Sequence, residues 1–74
     1  MSKITLGIIG SGQLGSMLCQ AAQKLNVRTV VISDDEYGPA KNFSSKFIFT
    51  KYNDQKKIQE FTKIVDVVTY EFEN

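Results

Sequence analysis

Three glycines near the amino terminus constrain the fold of this chain more than any other feature. Gly10, Gly12 and Gly15 fit the pattern G-x-G-x-x-G. The pattern follows an apolar run, residues 4–9, that predicts a buried strand, and it precedes residues with helical periodicity. In such a unit the first glycine permits a tight turn, the second lets a ligand approach the backbone, and the third lets the helix pack close to the strand. The exposed amides at the helix amino terminus predict a phosphate or carboxylate site.

The rest of the chain repeats the alternation of strands and helices. Strands are predicted over residues 27–32, 46–50 and 66–70, and a second helix, capped by Asp54, over residues 55–63. Such an alternation forms a parallel sheet, and right-handed crossovers give the strand order 3-2-1-4. We therefore predict an α/β fold with a Rossmann-like four-stranded parallel sheet and flanking helices.

The apolar positions predict which residues form the core. In the first helix they recur at spacings of three and four, which predicts one buried stripe. Its members are Leu14, Met17, Leu18, Ala21, Ala22 and Leu25. In the second helix Ile58, Phe61 and Thr62 are predicted to face inward. The other aromatic residues assigned to the core are Phe43, Phe47 and Phe49. Cys19, at the flank of the stripe, is expected to be an inert, partly buried thiol.

Composition limits the classes of function. The chain has 74 residues, a net charge of +1 and no basic block, so we expect one small domain and no nucleic-acid partner. It has one cysteine and no histidine, which excludes an internal disulfide, Cys/His zinc spacing and histidine acid–base chemistry. We expect no membrane association and a reducing, cytoplasmic setting. The chain ends at YEFEN without a closing helix, which suggests part of a longer protein.

The predicted topology brings the two ends of the chain to one crevice. The first and fourth strands are neighbours whose connections leave in opposite directions, and ligands bind at the carboxyl ends of strands at such a point. Those ends carry the glycine loop and the pair Glu71 and Glu73, which flank Phe72. Carboxylates repel a pyrophosphate. A ligand with a phosphate at one end and hydroxyls or an amine at the other therefore suits the crevice better than a dinucleotide.

Other interpretations of these residues stay open. The glycines are also compatible with a simple tight turn, and the two glutamates with a solvated strand end. Asp34 follows the second predicted strand, where a dinucleotide-binding domain binds the adenine ribose. Asp35 and Glu36 come directly after it, and a run of acids is more typical of a solvated turn.

Three segments together carry a family resemblance. GIIGSGQLGSML, GPA after the acidic run, and DVVTYEFEN closely resemble the amino terminus of 5-(carboxyamino)imidazole ribonucleotide synthases. These enzymes are the ATP-dependent subunit of phosphoribosylaminoimidazole carboxylase and belong to the ATP-grasp superfamily. The resemblance covers essentially all of the chain. It implies that residues 1–74 are a truncated amino-terminal pre-ATP-grasp domain, with the ATP-grasp and carboxyl-terminal domains absent.

The resemblance also implies a function and a set of site residues. The enzyme is an ATP-dependent ligase that carboxylates 5-aminoimidazole ribonucleotide with bicarbonate in de novo purine biosynthesis. Gln13 and Leu14 are expected to contact the substrate at the turn of the glycine loop. Glu71 is expected at the ribose region of the substrate, and Glu73 is a weaker candidate.

By the same resemblance ATP and Mg²⁺ bind outside this chain, so we expect no catalytic residue, no metal ligand and no NAD within it. The chain alone is expected to be inactive, and the full-length enzyme to be a homodimer. A sheet face normally covered by the absent domains is expected to be exposed, which predicts association or marginal stability. The alternatives from other classes are the NAD-binding domain of an oxidoreductase and a nucleotide-sensing module without catalysis.

Overall fold

The computed structural model describes residues 4–70, which form a parallel sheet with helices on both faces. In chain order the elements are β1 (Thr5–Ile9), α1 (Gln13–Lys24), β2 (Arg28–Ser33), a 3₁₀-helix (Pro39–Asn42), β3 (Lys46–Phe49), α2 (Gln55–Ile64) and β4 (Val67–Tyr70). The strand order is β3-β2-β1-β4, and all neighbouring strands are parallel. The predicted α/β fold, its strand order and its sequence of elements are confirmed.

Local chemistry sets the boundaries of these elements. Asp54 caps α2, because its Oδ1 accepts a hydrogen bond from the N–H of Lys57 at 3.2 Å. Pro39 begins the 3₁₀-helix, where its fixed φ is already helical. After α1 the chain reverses at Asn26, whose φ of 59° lies in the left-handed region that asparagine tolerates.

Each face of the sheet has its own core, because successive strand residues point to opposite faces. The face covered by α1 and the 3₁₀-helix buries Ile8, Cys19, Val31 and Ala40. The face covered by α2 buries Val30, Ile32, Ile48 and Phe61. Two helical layers on a parallel sheet are what such a sheet requires for cover on both faces.

Gly7 allows α2 to lie close to β1. A Cβ built on Gly7 would lie 2.6 Å from Cζ of Phe61 and 3.0 Å from both methyl carbons of Val65. A glycine inside a strand marks such a close approach. Phe61 in turn is the buried residue of α2, so this contact determines how the helix sits on the sheet.

The predicted buried stripe of α1 is confirmed for Ala22, which is buried, and for Leu18, which packs against the core, but it is wrong for its other members. The residues that face the sheet are Gly15, Ser16, Cys19 and Ala22. Met17 and Leu25 are instead 59% and 75% exposed, and Leu14 and Ala21 are also exposed. Small side chains let the helix approach the sheet closely, so their row occupies the interface. Met17 and Leu25 lie outside this contact, whereas Leu18 packs partly buried against the core.

Cys19 therefore lies at the centre of the interface rather than at its flank, and its side chain is fully buried. Loss of solvation on burial raises the pKa of its thiol, although a hydrogen bond with Thr29 opposes the shift. A thiol that keeps its proton is a poor nucleophile, in agreement with the expected inert role.

The core assignments at the edges of the sheet are also wrong in part. Phe49 is 52% exposed because it ends the edge strand β3, and Thr62 is exposed on α2. In the fourth strand Val67, Val68 and Tyr70 are exposed as well. β4 is the other edge of the sheet and pairs with β1. The sequence predicted an uncovered sheet face, whereas both faces carry helices and the exposure lies at this edge.

Candidate functional site

The glycine loop leads the chain from the carboxyl end of β1 into α1. Gly10 has a φ of 109°, a conformation that L side chains rarely adopt, and its N–H donates to the carbonyl oxygen of Ile32 at 2.9 Å. Gly12 is the N-cap residue of α1, so no side chain caps the helix, and its first turn contains no acidic residue. The positive end of the helix dipole thus faces the loop without a carboxylate from its own first turn, as an anion site requires.

Two buried serines join the loop to the end of β2. Oγ of Ser11 lies 2.7 Å from Oγ of Ser33, and it donates to the carbonyl oxygen of Asp35 at 3.1 Å. The N–H of Asp35 donates to Oγ of Ser33 at 3.0 Å. These bonds connect the middle of the glycine loop to the acidic run after β2.

The GPA segment packs directly against the same loop. The N–H of Ala40 donates to the carbonyl oxygen of Ser11 at 3.0 Å. Gly38 lies so close to Ser11 that an added Cβ would overlap both Oγ and the carbonyl oxygen of that serine. The φ of Gly38 is −64°, which any residue adopts. Glycine is therefore needed here for space and not for backbone conformation.

A cleft of about 210 Å³ lies at the carboxyl ends of β1 and β2. It is lined by Gly10, Ser11, Gly12, Ser33, Asp34, Asp35 and Tyr52. Oδ1 of Asp35 accepts a hydrogen bond from the N–H of Tyr37 at 2.9 Å, so this carboxylate stabilises a turn. Asp34 is exposed at the cleft. The acidic run is thus partly a turn, as one interpretation held, and partly a wall of the cleft.

The structure locates three of the predicted loop and substrate residues at the start of α1. Gln13 and Leu14 are its first two residues, directly after the glycine loop, and both are exposed. Gly15 follows and is buried on the side of the helix that faces the sheet. Gln13 and Leu14 are therefore accessible beside the cleft, while Gly15 serves the packing of α1.

The other two predicted substrate residues, Glu71 and Glu73, lie outside the described residues. The register of the sheet nevertheless shows where β4 leads. Tyr70, which precedes Glu71, pairs with Ile9, which precedes Gly10. The carboxyl end of β4 thus lies next to the start of the glycine loop.

Sequence reasoning did not identify four residues that shape this site: Ser11, Ser33, Gly38 and Tyr52. Position was a usable signal for Ser33, which ends a predicted strand at the ligand-binding edge of the sheet. The glycine of GPA marked a tight segment, although its partner was not evident. Tyr52 lies in a turn between β3 and α2, and nothing in the sequence relates it to the glycine loop.

The chemistry of the site is that of binding. The backbone of the glycine loop, two hydroxyls, two exposed carboxylates and a phenol line the cleft. Such groups can hold a phosphate ester that also carries hydroxyl groups. Over residues 4–70, no group of three or more His, Cys, Asp or Glu residues is arranged to hold a metal ion. In the same range, no helix has the length and apolar character needed to cross a membrane.

A known domain family matches the chain over its whole length. Residues 1–74 match the ribonucleotide synthetase preATP-grasp domain. The N5-carboxyaminoimidazole ribonucleotide synthase of Staphylococcus aureus strain COL is 46% identical over 70 residues, which are 95% of this chain and 19% of that protein. The chain spans about a fifth of the length of the curated relatives that it matches.

Solved structures share the fold. The crystal structure of N5-carboxyaminoimidazole synthetase from Staphylococcus aureus complexed with ADP has a TM-score of 0.89 and 44% identity, covering 99% of this chain and 20% of that one. Carboxyaminoimidazole ribonucleotide synthase from Aspergillus clavatus complexed with ATP has a TM-score of 0.79 and 30% identity, covering 95% of this chain and 19% of that one. The four-stranded sheet and its helices are thus common to these proteins.

Proposed function

Because the chain belongs to the ribonucleotide synthetase preATP-grasp domain family, we propose that it is the substrate-binding amino-terminal domain of an N5-carboxyaminoimidazole ribonucleotide synthase. The complete enzyme would be an ATP-dependent ligase that carboxylates 5-aminoimidazole ribonucleotide with bicarbonate in purine biosynthesis. The observation that carries the proposal is the 46% identity to the Staphylococcus aureus synthase across 95% of the chain. The uncapped amino terminus of α1, which opens on a polar cleft, supports it.

In this proposal the glycine loop receives the phosphate of the ribonucleotide. The backbone at Gly10 and Gly12 forms the turn against which the phosphate lies, and Gly15 keeps the start of α1 close to the sheet. Gln13 and Leu14 contact the substrate from the first turn of the helix, where their side chains are exposed. The positive helix end favours the phosphate because its amide dipoles point at the negative charge.

Glu71 binds the ribose region of the substrate, and Glu73 lies near it, at the end of β4. The pairing of Tyr70 with Ile9 supports this arrangement, because it leads β4 toward the glycine loop. Carboxylates accept hydrogen bonds from the ribose hydroxyls and repel a second phosphate. A monophosphate is therefore preferred to a dinucleotide.

ATP and Mg²⁺ are proposed to bind to parts of the longer enzyme outside this chain. The ADP and ATP complexes of the Staphylococcus and Aspergillus proteins support the use of ATP. This chain alone is then inactive, and the complete enzyme is expected to be a cytoplasmic homodimer without nucleic-acid or membrane partners.

The NAD-binding alternative is not favoured, because the matched relatives are ribonucleotide synthases.

Calorimetric titration of the chain with 5-aminoimidazole ribonucleotide and with NAD tests the choice of ligand. We expect the ribonucleotide to bind and NAD not to bind. Gln13→Ala should weaken binding of the ribonucleotide, whereas Gln20→Ala, farther along the exposed side of α1, serves as the matched control and should not. Micromolar binding of NAD that disappears in Asp34→Asn would refute the proposal.

Activity provides a second test. A chimaera in which this chain replaces the matched 70 residues of the Staphylococcus aureus synthase should carboxylate 5-aminoimidazole ribonucleotide in an ATP-dependent reaction. In that chimaera Glu71→Gln should raise the KM for the ribonucleotide while the KM for ATP stays constant. An unchanged KM for the ribonucleotide would remove Glu71 from the site.

A further inference from the structure

Ser11, Ser33 and Asp35 are joined in a closed ring by three hydrogen bonds. The hydroxyl of Ser11 donates to the carbonyl oxygen of Asp35 at 3.1 Å, and the N–H of Asp35 donates to Oγ of Ser33 at 3.0 Å. The two hydroxyl oxygens are 2.7 Å apart. A hydroxyl group has a single proton to donate. When the proton of Ser11 is directed at Asp35, Ser33 is the donor in the bond between the two serines.

Burial makes this ring costly to break. Ser11 is 3% exposed and Ser33 is 2% exposed, so water does not readily replace a lost partner. Ser33 is itself held by the sheet, because its carbonyl oxygen accepts from the N–H of Thr50 at 2.9 Å. The ring therefore ties Ser11, which lies between Gly10 and Gly12, to the rigid end of β2.

We propose that Ser33 is a positioning residue for ligand binding at the glycine loop. Its hydroxyl holds Ser11, and through Ser11 it keeps the backbone of the glycine loop in the conformation that lines the cleft. This inference rests on the proposed function, since it takes the ribonucleotide to bind at this loop. A loop that is already ordered loses less conformational entropy when a ligand binds, so the bond between the two serines increases affinity.

The chain offers a matched control for Ser33→Ala. Ser45 accepts a hydrogen bond from the N–H of Thr29 at 3.2 Å, near the end of β2 opposite to the glycine loop. Ser45→Ala therefore deletes a serine hydroxyl that also accepts a backbone N–H, but at an exposed position away from the loop. Urea denaturation of both variants measures their effects on stability separately from ligand binding.

The experiment is a titration of the chain with 5-aminoimidazole ribonucleotide, followed by ¹⁵N NMR at the loop amides. Ser33→Ala should weaken binding about tenfold, and Ser45→Ala by no more than about twofold. Because Ser33 acts through Ser11, the double variant Ser11→Ala/Ser33→Ala should bind no more weakly than the weaker single variant. Ser11→Ala removes the same bond from its other side, so it replaces Ser33→Ala if that variant does not fold.

Equal affinities of Ser33→Ala and Ser45→Ala would overturn the inference, and so would additive losses in the double variant. If the parent chain does not bind the ribonucleotide, the proposed function fails. The positioning role is then judged from ¹⁵N relaxation of the amides of Gly10, Ser11 and Gly12. Greater mobility of these amides in Ser33→Ala than in Ser45→Ala supports the role, and equal mobility overturns it.

Discussion

Replacing Gly7 by alanine is expected to destabilise the contact between β1 and α2. The new Cβ would lie 2.6 Å from Cζ of Phe61, whereas ordinary contact begins at 3.4 Å, so the ring must move by about 0.8 Å. Phe61 is 2% exposed, and it is packed among Val30, Ile32 and Ile48. These side chains surround the ring, so relief of the overlap requires the ring or α2 to shift against a packed core.

The expected size of the effect follows from two opposing terms. Overpacking a core costs about 1–3 kcal/mol. Replacing a glycine reduces the entropy of the unfolded chain, which offsets about 0.5–1 kcal/mol of that cost. We therefore expect Gly7→Ala to lower the free energy of unfolding by about 1–2 kcal/mol. A domain of this length is expected to have about 4–11 kcal/mol in total, so the change is large enough to measure.

Urea denaturation followed by circular dichroism measures the free energies of unfolding, and Phe61→Leu provides the decisive partner variant. Leucine lacks the Cζ atom that the alanine Cβ would meet, although the substitution alone costs stability by leaving a cavity. In Gly7→Ala/Phe61→Leu the methyl group occupies that space, so the loss should be smaller than the two single losses added together. Additive losses, or a Gly7→Ala variant as stable as the parent, would refute the close-contact reasoning.

Four further predictions follow from the same structure. Gly38→Ala should cost about 1–3 kcal/mol and shift the NMR signals of the glycine loop, because the added Cβ overlaps Ser11; unshifted loop signals would contradict this. Asp54→Ala should cost about 1 kcal/mol in thermal unfolding through loss of the α2 cap, and Asp54→Asn should retain most of that stability. Burial raises the pKa of the Cys19 thiol above its ordinary value of 9.0, because the folded protein favours the protonated thiol. The stability that depends on this protonated thiol is therefore complete below that pH and is lost as the pH rises through the folded-state pKa. Cys19→Ala should lack this component of the pH dependence of the free energy of unfolding. The exposed edge strand β4 should cause concentration-dependent association in sedimentation velocity, and a monodisperse monomer at all concentrations would contradict that expectation.

Local sequence patterns predicted the helices and strands well. They failed where the burial of a residue depends on packing against residues that are distant in the chain. The cap at Asp54 and the alternation of strands and helices depend on neighbours in sequence, so they can be recognised without coordinates. Periodicity also showed that α1 is amphipathic. It did not show that the row of small residues containing Gly15 and Cys19 faces the sheet while Met17 and Leu25 remain exposed. Which side of the helix is buried depends on how closely the helix approaches a sheet whose strands are distant in the chain.

The same division holds at the candidate site. The glycine loop between the first strand and the first helix could be predicted without coordinates, because the turn and the helix end depend on adjacent residues. The topology predicted for alternating strands and helices also made the first and fourth strands neighbours, and the structure adds the register that pairs Tyr70 with Ile9. Two contacts of the site became evident only in the folded chain: the hydrogen bond between Ser11 and Ser33, and the close approach of Gly38 to Ser11. These residues are more than twenty positions apart in the chain, and only the folded sheet brings their atoms within hydrogen-bonding distance.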